Sequence, residues 1–402
     1  MPVIGESLEE LRDKLSEELH ILVILISHSW GALEQTVLGD VRFLMKNGMK
    51  VTFLVREGSP LDQHIRMESP QIRLVYCSPN VRTYLDTSLF RQLRQLVDKE
   101  GVNLVHCHQS IYLGSIVPAL MARRHVALVL SRHSLNHQNK RDPLHAILYR
   151  RVDYLLVLSH AMRRNLSATY PLPEKKLRIV NPAIEVERFN PNIVDRMQMR
   201  KEWGVSEDTF LVGLVGRIDP RKGQDVIVKA LAQVRKNYPD VMGVMVGNET
   251  PGLDGTYLGE LKESIRQLRL EDSILVMPAL KEVPEVLAAL DLFVMPSWTE
   301  AFGLVAIEAM AMGVPCILGR GGSAEEMARG SGAEMVRTHD AYDLGRKIIQ
   351  LRNNPRIRED MRKNGREYVL ANHSRTSRLQ RTLEVYARCY RRRIFGDPHF
   401  EH

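Results

Sequence analysis

The chain has 402 residues, the length of two ordinary α/β domains, with 44% hydrophobic residues and a formal net charge of +8. No apolar run approaches the ~20 residues that span a bilayer, which argues against a membrane-crossing helix. The positive balance admits nucleic acid, an anionic lipid surface or an anionic substrate. Only 6% of residues are aromatic, and there is no RNP-like motif, zinc finger or basic-aromatic stripe, so nucleic acid is set aside as a partner.

Taken in order, residues 6–18 place Leu8, Leu11 and Leu15 on one face of a short acidic helix, which does not read as a signal peptide. A strand over Ile21–Ile26 runs into Ser27-His28-Ser29-Trp30-Gly31-Ala32, and a helix continues to about Lys46. Strand, glycine-containing turn and helix open a Rossmann-like unit, with Gly31 where the loop approaches a phosphate. Strands follow at Val51–Val55, after the Asn47-Gly48 helix end, and at Ile72–Tyr76. Leu89–Lys99 reads as a helix. Asn103–His106 is a strand ending in His106-Cys107-His108. That H-x-H has no third ligand at metal spacing and reads as structural. Val126–Leu130 is a strand that leaves His133 at its carboxyl end, where open α/β sheets bind ligands. Gln138–Arg151 is basic, with Leu144, Ile147 and Leu148 interleaved; Arg163 and Arg164 add to it. It is either a solvated face or a surface turned to membrane or acceptor. Asp153–Leu158 is a strand, and Ile179–Pro182 closes the first pattern. The four cysteines form no C-x-x-C pair, so a reducing cytoplasm is expected.

Residues 189–205 read as a linker with a short helix. A second unit begins at Phe210, with a strand over Leu211–Gly216. The turn Arg217-Ile218-Asp219-Pro220-Arg221-Lys222-Gly223 precedes a helix from Gln224 to about Lys236. Arg217 and Lys222 leave the strand end together, opposite a helix N-terminus, which suits a pyrophosphate. Strands at Val241–Val246 and Ile274–Met277 lead to Pro278–Lys281 and a helix over Glu282–Leu290. The stretch that organises the rest is Pro296-Ser297-Trp298-Thr299-Glu300-Ala301-Phe302-Gly303-Leu304. It follows a buried strand, Leu292–Met295, and precedes a helix from about Phe302 to Gly313, where Pro315 blocks continuation. Glu300 lies in the turn. Glu308 lies inside an apolar helix, where a carboxylate must face solvent or have a dedicated partner. The free amides of Phe302, Gly303 and Leu304 offer an anion site between the two carboxylates. That row suits a nucleotide-sugar. A strand at Cys316–Leu318, the turn Gly321-Gly322-Ser323, helices over Ala341–Arg352 and Arg356–Leu370, and a basic helical tail over Ser374–Arg393 complete the chain.

Glu300 and Glu308, eight residues apart across Phe-Gly-Leu, together with Gly216-Arg217 and Lys222-Gly223 in the pattern G-R-x-x-x-x-K-G, resemble retaining glycosyltransferases of family 4. The resemblance runs through nearly the whole chain and implies the GT-B fold: two Rossmann-like α/β domains facing each other across a cleft. It implies an acceptor-side domain over 1–190, a donor domain over 191–373, and a helix over 374–402 that returns to the first domain. By resemblance Arg217 and Lys222 hold the diphosphate, Glu300 the sugar hydroxyls and Glu308 the ribose. His133 reaches the donor sugar, and the base lies against the backbone ending at Lys281. This chain has Gly31-Ala32 where the family usually has Gly-Gly, Pro182 where it has glycine, and Glu249 where a second glycine is common. There is no D-x-D, so metal-independent transfer without a cofactor is expected, by front-face attack with retention. The implied partners are a UDP- or GDP-sugar and a glycan or glycolipid acceptor, a lipid-linked or envelope lipopolysaccharide precursor. The implied place is the cytoplasm, with peripheral attachment to an anionic membrane face. A nucleotide-sugar 2-epimerase and a non-catalytic binding member of the fold are the competing readings.

Overall fold

The computed structural model describes residues 8–135, 138–298 and 300–394. Residues 6 and 7 of the expected first helix, and Thr299 of the central stretch, lie outside them. The first unit runs up to Ala183 and resumes at Arg375; the second is Ile184–Ser374. Residues 184–190, expected with the first domain, belong to the second. Ile184 bridges Ser374, and Arg366 Nη1 donates to the Phe189 carbonyl at 3.2 Å.

In the first unit the apolar runs become β1 (His20–Ile24), β2 (Lys50–Arg56), β3 (Arg73–Cys77), β4 (Leu104–Cys107), β5 (Ala127–Ser131), β6 (Tyr154–Val157) and β7 (Leu177–Ile179). They form one parallel sheet in the order β3-β2-β1-β4-β5-β6-β7. Ile24 lies beside Cys107, and Cys107 beside Leu130. Strands such as β1 and β5 are buried along their whole length, as expected when helices cover both faces of a parallel sheet. The helix Arg375–Cys389 supplies Leu379, Leu383 and Tyr386 to this unit's core. Its Arg378 guanidinium makes two 2.7 Å bonds to the Asp40 carboxylate and caps the Val180 and Asn181 carbonyls. This buried charge is therefore paired and saturated with acceptors, the condition under which burial is tolerable.

The second unit repeats the plan with β8 (Phe210–Val215), β9 (Val241–Val246), β10 (Ile274–Met277), β11 (Leu292–Met295), β12 (Cys316–Gly319) and β13 (Glu334–Val336). The order is β10-β9-β8-β11-β12-β13, with neighbouring strands parallel. In each sheet the strand order reverses once, between β1 and β4 and between β8 and β11. Ligands of open α/β sheets bind beyond the carboxyl ends of the strands at such reversals. The loops after β1, β4, β8 and β11 carry Gly31, His108, Arg217 to Gly223, and Pro296 to Gly303.

Candidate active site

The loop after β8 is built around Asp219. Its buried carboxylate takes two bonds from Arg221 and one from Thr250 Oγ1 at 2.8 Å. Those bonds, the Arg221 side chain's first among them, hold its pKa far below the ordinary carboxylate range. With Arg221 so engaged, the remaining cations of the loop are Arg217 and Lys222. The Arg217 side chain is exposed and makes no ion pair among the described residues. Its carbonyl accepts from Gln224 Nε2 at 2.9 Å, which fixes the turn. The Lys222 ammonium reaches across to the Glu300 carboxylate at 2.5 Å. Two residues expected to meet different parts of one ligand thus touch each other.

The loop after β11 is held from three sides. Trp298 N–H donates to the Arg221 carbonyl at 3.0 Å, tying it to the β8 loop. Ser323 Oγ–H donates to the Phe302 carbonyl at 2.6 Å. Gly322 approaches so closely that a Cβ there would stand 1.9 Å from the Glu300 carbonyl oxygen, and its φ of +59° is one that glycine adopts without strain. The turn Gly321-Gly322-Ser323 is thus the mould in which the Glu300 loop is set, a role that the sequence reading did not assign. Helix begins at Leu304, with Gly303 as N-cap at φ +90°, two residues later than expected. The Phe302, Gly303 and Leu304 amides have no acceptor among the described residues.

Glu308 sits one turn further along. It is half-buried and has no hydrogen-bond or ion-pair partner among the described residues. Burial pushes its carboxyl up to about 7, partly offset by the Arg188 guanidinium. Arg188 also donates to the Lys281 carbonyl at 3.1 Å, which fixes the end of the segment 278–281. A carboxylate left short of donors has acceptor capacity to spare for hydroxyl groups.

The Gly31 amide, expected to approach a phosphate, is engaged within the chain. The Gly31 amide donates to the Glu34 carboxylate at 2.9 Å, which also accepts from Ser27 Oγ at 2.5 Å and Ser29 Oγ at 3.2 Å. The helix start is closed by its own anion. The signal was in the sequence: Glu34 stands at the third helical position, where a capping box places its carboxylate. Glu249 does the same for the helix Thr256–Gln267, accepting from the Leu258 amide at 2.8 Å and from the Gly255 amide. His133 stands where expected, just beyond β5, with its ring against His108. In the H-x-H, His106 is bonded at both ring nitrogens, to Tyr386 and Ser131, each at 2.7 Å.

The model of the Glycosyltransferase Family 4 matches residues 33–188, and that of the Glycosyl transferases group 1 matches residues 195–368. The chain belongs to this glycosyltransferase family. Among its relatives is D-inositol 3-phosphate glycosyltransferase 2 of Catenulispora acidiphila, 29% identical over 242 residues, 59% of this chain. That match spans only 56% of the relative's length. A GDP-mannose-dependent alpha-(1-6)-phosphatidylinositol monomannoside mannosyltransferase of Mycolicibacterium smegmatis is 28% identical, covering 70% of this chain and 76% of the relative. In fold, the glycosyltransferase resembles a crystal structure of a glycosyltransferase from Rickettsia africae, at a TM-score of 0.83 and 18% identity over 92% of this chain and 98% of that one. It also resembles HepE of Anabaena, solved with UDP and glucose, at 0.75 and 19% over 92% and 99%. The fold is GT-B.

Elsewhere on this glycosyltransferase the basic stretch is resolved residue by residue. It forms a helix over Pro143–Arg150. Leu144 and Ile147 are each 60% exposed, and Arg141 and Arg150 are exposed beside them. Leu148 is half-buried, and Arg151 is drawn inward to the buried Asp153 at 3.3 Å. Among the described residues, no helix is long and apolar enough to cross a membrane.

Proposed function

We propose that the protein is a retaining glycosyltransferase that moves a sugar from a nucleoside-diphosphate sugar to a glycan or glycolipid acceptor. The observation that carries this is the loop pair at the β8/β11 reversal. Among the described residues it gathers one cation without an ion pair, a second cation shared with a carboxylate, three amides without acceptors, and a donor-poor carboxylate one helical turn away. The diphosphate lies on Arg217, Lys222 and the Phe302 to Leu304 amides. Charge grows on it as the glycosidic bond breaks, and preorganised donors act most strongly on growing charge. Glu300 meets the sugar hydroxyls while its bond to Lys222 keeps both side chains in place. Glu308 meets the ribose, and the base lies along 278–281. His133 meets the donor sugar. No D-x-D is present to clamp a metal, so activity should persist in EDTA. Full loss with rescue by Mg²⁺ or Mn²⁺ would show that a metal is needed.

The deciding experiment incubates the protein with UDP- and GDP-sugars, with and without glycan and glycolipid acceptors. It follows nucleotide release and, by NMR, the anomeric configuration of the product. Acceptor-dependent release with retention is expected. Conversion of donor without acceptor would point to an epimerase, and binding without turnover to a non-catalytic member.

Leu144 and Ile147, flanked by Arg141 and Arg150, support a second element of the reading: attachment to an anionic membrane face. Binding to vesicles containing anionic lipid, released by high salt, is expected. Equal binding to neutral vesicles, or none to either, would remove it.

A further inference from the structure

His106 and His108 project from one face at the end of β4, because side chains alternate along a strand. Ser131 and His133 do the same at the end of β5. The four residues make two rungs, each joining positions 25 apart in sequence. His106 Nε2 bonds Ser131 Oγ at 2.7 Å, and His108 Nδ1 bonds His133 Nε2 at 3.0 Å. The His106 and His108 rings lie 4.3 Å apart, and those of His108 and His133 5.3 Å apart at 30°. The lower rung is anchored by the Tyr386 hydroxyl on His106 Nδ1. No bond to His133 Nδ1 is present among the described residues.

We propose that His108 is a positioning residue for His133, fixing both its ring orientation and its tautomer through the Nδ1–Nε2 bond. This rests on the reading that His133 meets the donor sugar. A bond between two uncharged imidazoles holds one proton. Whichever ring donates, His133 Nδ1 must play the role toward a ligand opposite to the one Nε2 plays toward His108. The groups facing the ladder keep the rings uncharged. Burial lowers His106 and His133 to about 3 and His108 well below the ordinary value. The Arg378 guanidinium acts in the same direction on all three, and Arg132 on His133. Asp40 opposes them for His106 and His133 and is itself paired to Arg378. Tyr386 is held in its neutral form by burial. A ring that stays neutral across the working pH offers one defined nitrogen, not an exchanging pair.

The test combines ring-nitrogen NMR with kinetics on the full-length chain. In the wild type, His108 and His133 should each show a single tautomer, complementary across the bond, with no titration between about pH 5 and 8. His108→Phe keeps the ring volume but breaks the bond, so His133 should show mixed tautomers. Its kcat should fall about tenfold, the weight of one hydrogen bond in a rate, with nucleoside diphosphate affinity unchanged. His108→Asn, whose amide nitrogen stands near the lost Nδ1, should restore most of that rate. In a His133→Ala background, His108→Phe should cost nothing more, as for residues that act as a unit. Averaged tautomers or a titration near the ordinary value in the wild type would overturn the positioning. So would additive losses in the cycle. If His133→Ala left transfer untouched, the donor-sugar reading would fall instead, while the ring signals would still decide whether His108 orders its neighbour.

Discussion

Two helix starts beside the order reversals of the two sheets end differently. The helix Ala32–Lys46 follows β1, and its N-cap amide is taken by Glu34, a buried carboxylate with three donors. The helix Leu304–Ala311 follows β11, which borders the reversal of the second sheet from the other side, as β4 does in the first. Among the described residues no side chain caps it, and Glu308, its own carboxylate, lies a turn too far along to reach back. The first start is saturated from within. The second leaves amides and a carboxylate without partners among the described residues. Similar ingredients, a glycine and a glutamate on one helix, give a closed joint or an open helix start according to their spacing. A glutamate at the third position folds back on the cap; one at the fifth does not.

The largest test of this contrast is Lys222→Ala. If the open start and its cations stabilise the departing diphosphate, kcat should fall by roughly 10²–10³, as on loss of one preorganised donor. Steady-state donor kinetics measure it, and a change confined to KM would mean that Lys222 holds ground state and transition state alike. Gly322→Ala should come next. A Cβ would strike the Glu300 carbonyl, so the mould opens, with transfer down at least about tenfold and about 1–3 kcal/mol of stability lost. Denaturant melts and activity on the same preparation report both; a variant of full activity would show that the loop is set by other contacts.

Glu308→Gln has two expected effects of opposite sign. Calorimetric affinity for nucleoside diphosphate and for donor should weaken together, by about tenfold. Glu300→Gln, by contrast, should weaken the sugar donor and spare the free nucleotide. Because burial lifts the Glu308 carboxyl to about 7, the folded state binds its proton more tightly than the unfolded chain. Stability from this group is then lost as pH rises from the ordinary carboxyl range to about 7, and is flat above. Glu308→Gln should therefore raise the Tm at pH 8 and hardly change it at pH 5. A gain that is larger at pH 5 would refute the raised carboxyl. The smallest effect on ligand is expected from Glu34→Gln. It loosens the β1 loop and costs about 1–2 kcal/mol, but nucleoside diphosphate affinity should not move. A clear change in that affinity would place phosphate at Gly31 after all.

Where one residue's neighbours are close in sequence, the chain could be read directly. Apolar runs marked most strands, and the cap pattern contained Glu34's role. The helix Leu113–Leu120 escaped because Pro118 lies inside it, and β13 because three residues carry little periodicity. The Lys222–Glu300 and His108–His133 bonds were beyond reach for another reason. Each joins loops that only sheet order brings together, and neither residue type nor spacing within one loop encodes the distance. The exposure of Ile147 in place of Leu148 depends on which face the short helix turns inward, a matter of a single rotation step.

The chain leaves the first unit at Ala183 and returns to it only at Arg375. Leu379, Leu383 and Tyr386 fill that unit's core, and Arg378 caps the carbonyls where the chain departs. During synthesis, the half that begins first therefore cannot finish first. Its sheet waits with one flank uncovered while the interrupting unit, Ile184–Ser374, emerges and folds. The order of maturation is inverted relative to the order of translation. The apolar surface meanwhile left bare is what a ribosome-associated chaperone would be expected to shield.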